Sequence, residues 1–210
     1  MGTLRKQMQA DKALRGLAYR TGQAYIESVA KLAKFYGKSP DQISEPECQR
    51  YLLHLLEERK LAHSSCNIMC SALTFFYRVT LQRRAFLMTT YGAGLRLMEA
   101  CQIKVCDIDS QRMTLRVEQG KGAKDRYTLL SPRLLQELLR YWFAQRTRLW
   151  LFPGVRDGEH PMAPKSAQRL FHAAKDRAGI TKDCGIHGLR HAFAIDGDVP
   201  EHLLVQAVHH

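Results

Sequence analysis

Apolar positions recur at helical spacing through the first third of the chain. Tyr25, Val29, Leu32 and Tyr36 form one stripe and Tyr51, Leu52, Leu55 and Leu56 another, which predicts two amphipathic helices. Ser44, followed three residues later by Glu47, has the form of a capping box opening the second of them. Pro46 fits its first turn, where the leading N–H groups lack intrahelical partners. A third stripe, Ile68, Ala72, Phe76 and Val79, runs on without glycine or proline as far as Gly92. It predicts one helix over residues 64–91, roughly 42 Å long at 1.5 Å per residue. The period then changes. Met113, Leu115 and Val117 alternate with polar residues, GKGAKD supplies a glycine-rich turn and RYTLL follows, so strand, turn and strand are predicted. Beyond the hairpin, Pro132 opens a helix with Leu134, Leu135, Leu138, Leu139 and Trp142 on its apolar side, and residues 166–178 read as a further helix rich in lysine and arginine. That last helix either lines a polyanion or presents a solvated face. The predicted fold class is mainly α with a small β-hairpin or sheet, an α+β chain whose first third is helical.

Composition sharpens this picture. With 210 residues, 45% of them hydrophobic, the chain can bury a core in one large or two small domains. Its net charge of +12 draws it to polyanions, nucleic acid above all, although charge alone also suits a ribosome-associated protein. Cysteines 48, 66, 70, 101, 106 and 184 form no CxxC pair, and are read as reduced, mostly buried thiols of a cytoplasmic protein, with no metal site. No apolar run approaches the roughly 20 residues that span a bilayer, so no membrane partner is expected.

Three stretches carry candidate chemistry. In CGIHGLRHAFA, His187 and Arg190 stand at i and i+3 and share a helix face. Arginine offers an always-charged fork of donors, and histidine can donate a hydrogen bond or move a proton near neutral pH, so the pair suits a phosphate; the plainer reading is a basic, solvated helix. In GAGLRLMEA, glycines lead into a helix whose first turn would carry Arg96, aiming backbone donors and a guanidinium at one point. Lys121 sits at the tip of the glycine-rich turn.

In this order, GAGLRLMEA, GKGAKDRYTLLS, LFPG and HGLRHAFA resemble the catalytic domain of the tyrosine recombinases, the phage-integrase family of site-specific DNA recombinases. The resemblance runs from about Phe86 to Ala194. Leu17 to Leu81 is similar to the helical core-binding domain that precedes it, implying a DNA-binding domain over 1–82 and a catalytic domain over 83–210. The family's linker and first catalytic helices are missing between FFYRVTLQ and RRAFLMTTYGAG, as though deleted at Gln82 to Arg84. So short a connection implies difficulty in closing a clamp around DNA, since five or six extended residues reach at most roughly 20 Å.

The resemblance implies a mechanism without metal or nucleotide cofactor. A tyrosine hydroxyl attacks the scissile phosphate, giving a 3′-phosphotyrosine and a free 5′-hydroxyl that later attacks a partner strand. Arg96 and Arg190 would clamp the phosphate, where fixed cations stabilise developing negative charge. His187 would hold the phosphate or move the nucleophile's proton, and Lys121 would protonate the leaving 5′-oxygen. Glu99 would support Arg96. The family's tyrosine lies a few dozen residues beyond HxxR, whereas the last of the eight tyrosines here is Tyr141, so no nucleophile is assigned. Val199 to His210 can be laid over the segment ending at a further active-site histidine, which makes His210 a candidate; a shortened or frameshifted tail accounts for the same letters. The expectation is therefore a site-specific recombinase or integrase acting on double-stranded DNA beside other recombinase subunits, this copy a truncated remnant defective in cleavage. The alternatives are a non-catalytic DNA-binding protein occupying recombination sites, or a basic RNA- or ribosome-binding protein.

Overall fold

The computed structural model describes residues 2–118, 125–154 and 159–195. The chain forms two compact units, Met1–Gln82 with Phe143–Arg146, and Arg83–Trp142 with Thr147–His210.

The first unit is built from α1 (Gly2–Leu14), α2 (Tyr19–Tyr36), α3 (Glu45–Glu57) and α4 (His63–Phe75). Its core gathers Met8, Ile26, Val29, Leu32, Tyr51 and Phe76. Ser44 starts α3 as its sequence predicts: its N–H and its hydroxyl both donate to Glu47 Oε2, at 2.8 and 2.9 Å. Glu47 also accepts from Lys38 Nζ at 2.5 Å, and this bond, with the Ser44 N–H, holds its carboxyl down at about 2. Because the folded value lies below the ordinary 4.5, the carboxylate's contribution is complete above about pH 4.5 and is lost as pH falls toward 2. Glu47→Ala should therefore cost about 1 kcal/mol in urea unfolding at pH 7. The deficit should shrink on acidification; a deficit independent of pH would sink the assignment.

Helical conformation persists at every residue from 63 to 92. After α4 comes a π-helical turn, Phe76–Leu81, and then α5, Gln82–Gly92, with no extended turn at residues 81–85. The expected stripe is kept in part: Ala72 and Phe76 are buried, but Ile68 is 47% exposed, and Cys66, Met69 and Leu73 are buried beside them, because several faces of this segment carry apolar residues and packing selects among them. Tyr77, buried in the π turn, donates its hydroxyl proton to the Pro40 carbonyl at 2.8 Å.

In the second unit α5 is anchored at its start, where Arg83 donates to the Leu170 carbonyl and Arg84 pairs with Glu137, each at 2.9 Å. There follow the short α6 (Leu97–Cys101), strands β1 (Ile108–Asp109), β2 (Thr114–Val117) and β3 (Arg126–Leu129), and helices α7 (Pro132–Gln145), α8 (Pro164–Arg177) and α9 (His187–Ile195). The sheet is antiparallel in the order β1-β2-β3, with Leu115 facing Ile108 on one side and Thr128 on the other. The two predicted strands thus pair, with a further two-residue strand beside them, while residues 119–124 of the predicted turn lie outside the described residues. Met113 lies outside β2, in the turn before it, with φ of 53°. Leu115 and Val117 enter the core with Phe86, Tyr141 and Phe152, whose rings meet at 5.3 and 5.6 Å. On α7 the buried residues are Leu134, Leu138, Tyr141 and Ala144, while Leu139 is 41% exposed. The six cysteines are free, with Cys48, Cys66 and Cys101 buried. Among the described residues no helix is long and apolar enough to cross a membrane.

Candidate phosphate-binding site

The site begins at the end of α5. The Gly94 N–H donates to the Tyr91 carbonyl and the Leu95 N–H to the Thr90 carbonyl, both at 2.9 Å, with Gly94 at φ of 58°. This is a Schellman ending, which requires the left-handed conformation glycine adopts most readily. Leu95 is buried immediately after it, so the chain turns inward and delivers Arg96 to the N-cap of α6. Arg96 therefore precedes the helix, where the sequence suggested its first turn. That helix has only five residues and adds little dipole.

Glu99 is the centre of the arrangement, with a side chain 8% exposed. Its Oε1 accepts from Arg96 Nη1 at 2.9 Å. Its Oε2 accepts from the Arg96 N–H at 2.8 Å and from Arg126 Nη2 at 2.7 Å. Arg190 Nη1 lies 3.6 Å from the same oxygen and donates to the Gly94 carbonyl at 2.8 Å. Burial raises the Glu99 carboxyl's affinity for its proton, but the Arg96 backbone N–H and the guanidiniums of Arg96 and Arg126 outweigh it, so the group stays below the ordinary carboxylate range. Burial, then the charges of Arg96 and Arg126, lower Arg190 from its usual value.

Arg96 and Arg190 are thus brought together, as a phosphate clamp requires. His187 stands exposed in the first turn of α9, one turn before Arg190. Lys121 and His210 lie outside the described residues. Arg126 is the member that sequence reasoning missed. Its strand shows the signal in hindsight: Arg126 and Thr128 are the more buried positions of β3, whereas Tyr127 and Leu129 are 67% and 77% exposed, the reverse of the usual alternation. Thr128 Oγ1 donates to the Ala93 carbonyl at 3.1 Å, so β3 and α9 both clasp the loop from which Arg96 projects.

Three guanidiniums face one carboxylate, and the arginines keep 39%, 32% and 33% of their side chains exposed. The cluster therefore carries uncompensated positive charge at a solvent-accessible point, an arrangement that can accept an oxyanion. A model of the phage integrase family matches residues 35–196.

The chain belongs to that family. Among phage integrase relatives, a Sinorhizobium fredii protein described as an integrase/recombinase is 38% identical over 233 aligned positions, covering 93% of this chain and 75% of its own length. Since 233 exceeds the 210 residues here, that relative has residues with no counterpart in this chain. An Escherichia coli integrase/recombinase is 27% identical over 266 positions, covering 89% of this chain and 79% of its own. Among solved structures, the XerH site-specific recombinase in a post-cleavage complex with a palindromic difH substrate matches 90% of this chain and 71% of that one, with a TM-score of 0.51. At 16% identity that likeness speaks for the fold alone.

Proposed function

We propose that this phage integrase is a site-specific DNA recombinase whose Arg96 and Arg190 hold the phosphate at which strands are exchanged. The observation that carries the reading is the convergence of both guanidiniums on Glu99 with charge to spare. Double-stranded DNA is the partner, with further recombinase subunits alongside. The proposed division of labour has a helical DNA-binding domain over 1–82 and the chemistry over 83–210, with His187 assisting at the phosphate, Lys121 as the acid for the leaving oxygen and His210 as a further histidine. α8 supports DNA contact: Lys165, Gln168, Arg169 and His172 are exposed along one side while Ala167, Phe171 and Ala174 are buried on the other.

A second reading, DNA binding without cleavage, draws on where the tyrosines stand. Tyr77 is buried and bonded to backbone, Tyr51 and Tyr141 are buried, Tyr25, Tyr36 and Tyr91 are half-buried, Tyr19 is exposed on α2 of the first unit, and Tyr127 projects from the face of β3 opposite Arg126.

Duplex binding measured across a salt series, together with a nicked, end-labelled duplex bearing a recombination site, separates these readings. Arg190→Ala should weaken binding and reduce the slope of log K against log salt by about 1, as expected for one lost phosphate contact. An unchanged slope and affinity would remove the phosphate assignment. A covalent protein–DNA adduct on a denaturing gel supports strand exchange by this chain, and binding without an adduct supports the second reading.

A further inference from the structure

We propose that Arg126 is a positioning residue for the arginine pair: by occupying Glu99 Oε2 it keeps Arg190 off the carboxylate and available to an anion. The inference rests on the phosphate reading given above. It follows from the capacity of one oxygen. A carboxylate oxygen has two lone-pair sites, and those of Oε2 are taken by the Arg96 N–H at 2.8 Å and Arg126 Nη2 at 2.7 Å. Arg190 Nη1, at 3.6 Å, is left outside the ordinary range of about 2.7–3.2 Å for an N–H···O bond. It bonds instead to the Gly94 carbonyl, a neutral acceptor that a phosphate oxygen can replace at little electrostatic cost.

Without Arg126 the vacated site on Oε2 has Arg190 as a close remaining guanidinium. Arg190 then closes onto Glu99, and two guanidiniums are matched against one carboxylate where three stood before. Both changes act against an incoming anion. Arg126 needs no contact with the phosphate to have this effect; its hydrogen bond to Glu99 suffices.

The test uses the full chain and inorganic phosphate as the probe, with the arginine 1H–15Nε NMR signals as the readout and thermal unfolding as a check on folding. In Arg126→Gln the Arg190 signal should shift before any phosphate is added, as it pairs with Glu99. Phosphate should then bind roughly tenfold more weakly, the loss expected when one charge-assisted hydrogen bond is forfeited. Arg126→Lys, which keeps a charged donor, should recover part of that affinity. If phosphate affinity falls while the Arg190 signal stays in place, Arg126 acts through its own charge and the positioning role is overturned. Unchanged affinity overturns it as well. So does failure of both variants to fold, which would make Arg126 a stability element. If the native protein shows no phosphate-dependent shift at Arg96 or Arg190, it is the phosphate reading that fails.

Discussion

Replacing Glu99 with alanine should destabilise the second unit by about 2 kcal/mol in urea unfolding at pH 7. Removing one partner of a fully buried ion pair costs about 3–5 kcal/mol, because the other charge is left without compensation. Here the side chain removed is 8% exposed but its three arginines are 39%, 32% and 33% exposed, so water screens their mutual repulsion and the cost falls below that range. Glu99→Gln should be nearly as harmful, since its amide turns an N–H toward guanidiniums that can only donate. The pH dependence gives the decisive check. The folded Glu99 carboxyl lies below the ordinary value of 4.5, so its stabilisation is complete above that pH and disappears as pH falls through the lower folded value. The native protein should lose stability on acidification below about pH 4.5, and the gap to Glu99→Gln should narrow there. A gap that stays constant with pH would mean that Glu99 contributes shape and not charge.

Whether such a cluster can be foreseen depends on how far each member is constrained by its sequence neighbours. Arg96 and Arg190 were legible because their neighbours constrain them: a glycine that ends one helix, and a histidine one turn away on another. The helical class and the paired strands were legible from period, and the capping box from the three-residue spacing of Ser44 and Glu47. Arg126 was not, for a single arginine in a short strand has no periodic partner, and its significance lies in a carboxylate 27 residues away. Nor was β1, since a two-residue strand is created by its pairing with β2 and leaves no pattern of its own. The exposure of Ile68 on α4 makes the same point. Where apolar residues occur on several faces, only the neighbour that packs against them decides which face is buried. Local rules therefore located Arg96 and Arg190, and tertiary contacts determined how they are held.

Gly94 takes part in this holding through its carbonyl and its turn, and Gly94→Ala should cost about 2–4 kcal/mol. Two separate terms contribute. A left-handed conformation costs an L residue roughly 1–2 kcal/mol, and Gly94 has φ of 58°. A methyl group built there would also lie 2.4 Å from Cδ1 and 2.8 Å from Cε1 of Phe193, well inside contact distance, so α9 or the ring must move. Where α9 moves, the bond from Arg190 Nη1 to the Gly94 carbonyl is stretched and the guanidinium is displaced along with the helix. Phosphate and duplex affinity should consequently fall together with the melting temperature. Pairing the change with Phe193→Ala separates the terms: the double variant relieves the clash but keeps the backbone strain, so it should recover only part of the stability lost. It should recover relatively more of the anion affinity, since α9 can settle back toward its place. A double variant no more stable than Gly94→Ala would show that the ring contact is irrelevant and that strain at Gly94 accounts for the whole effect. The position of Arg190 would then owe nothing to the packing of α9 on this glycine.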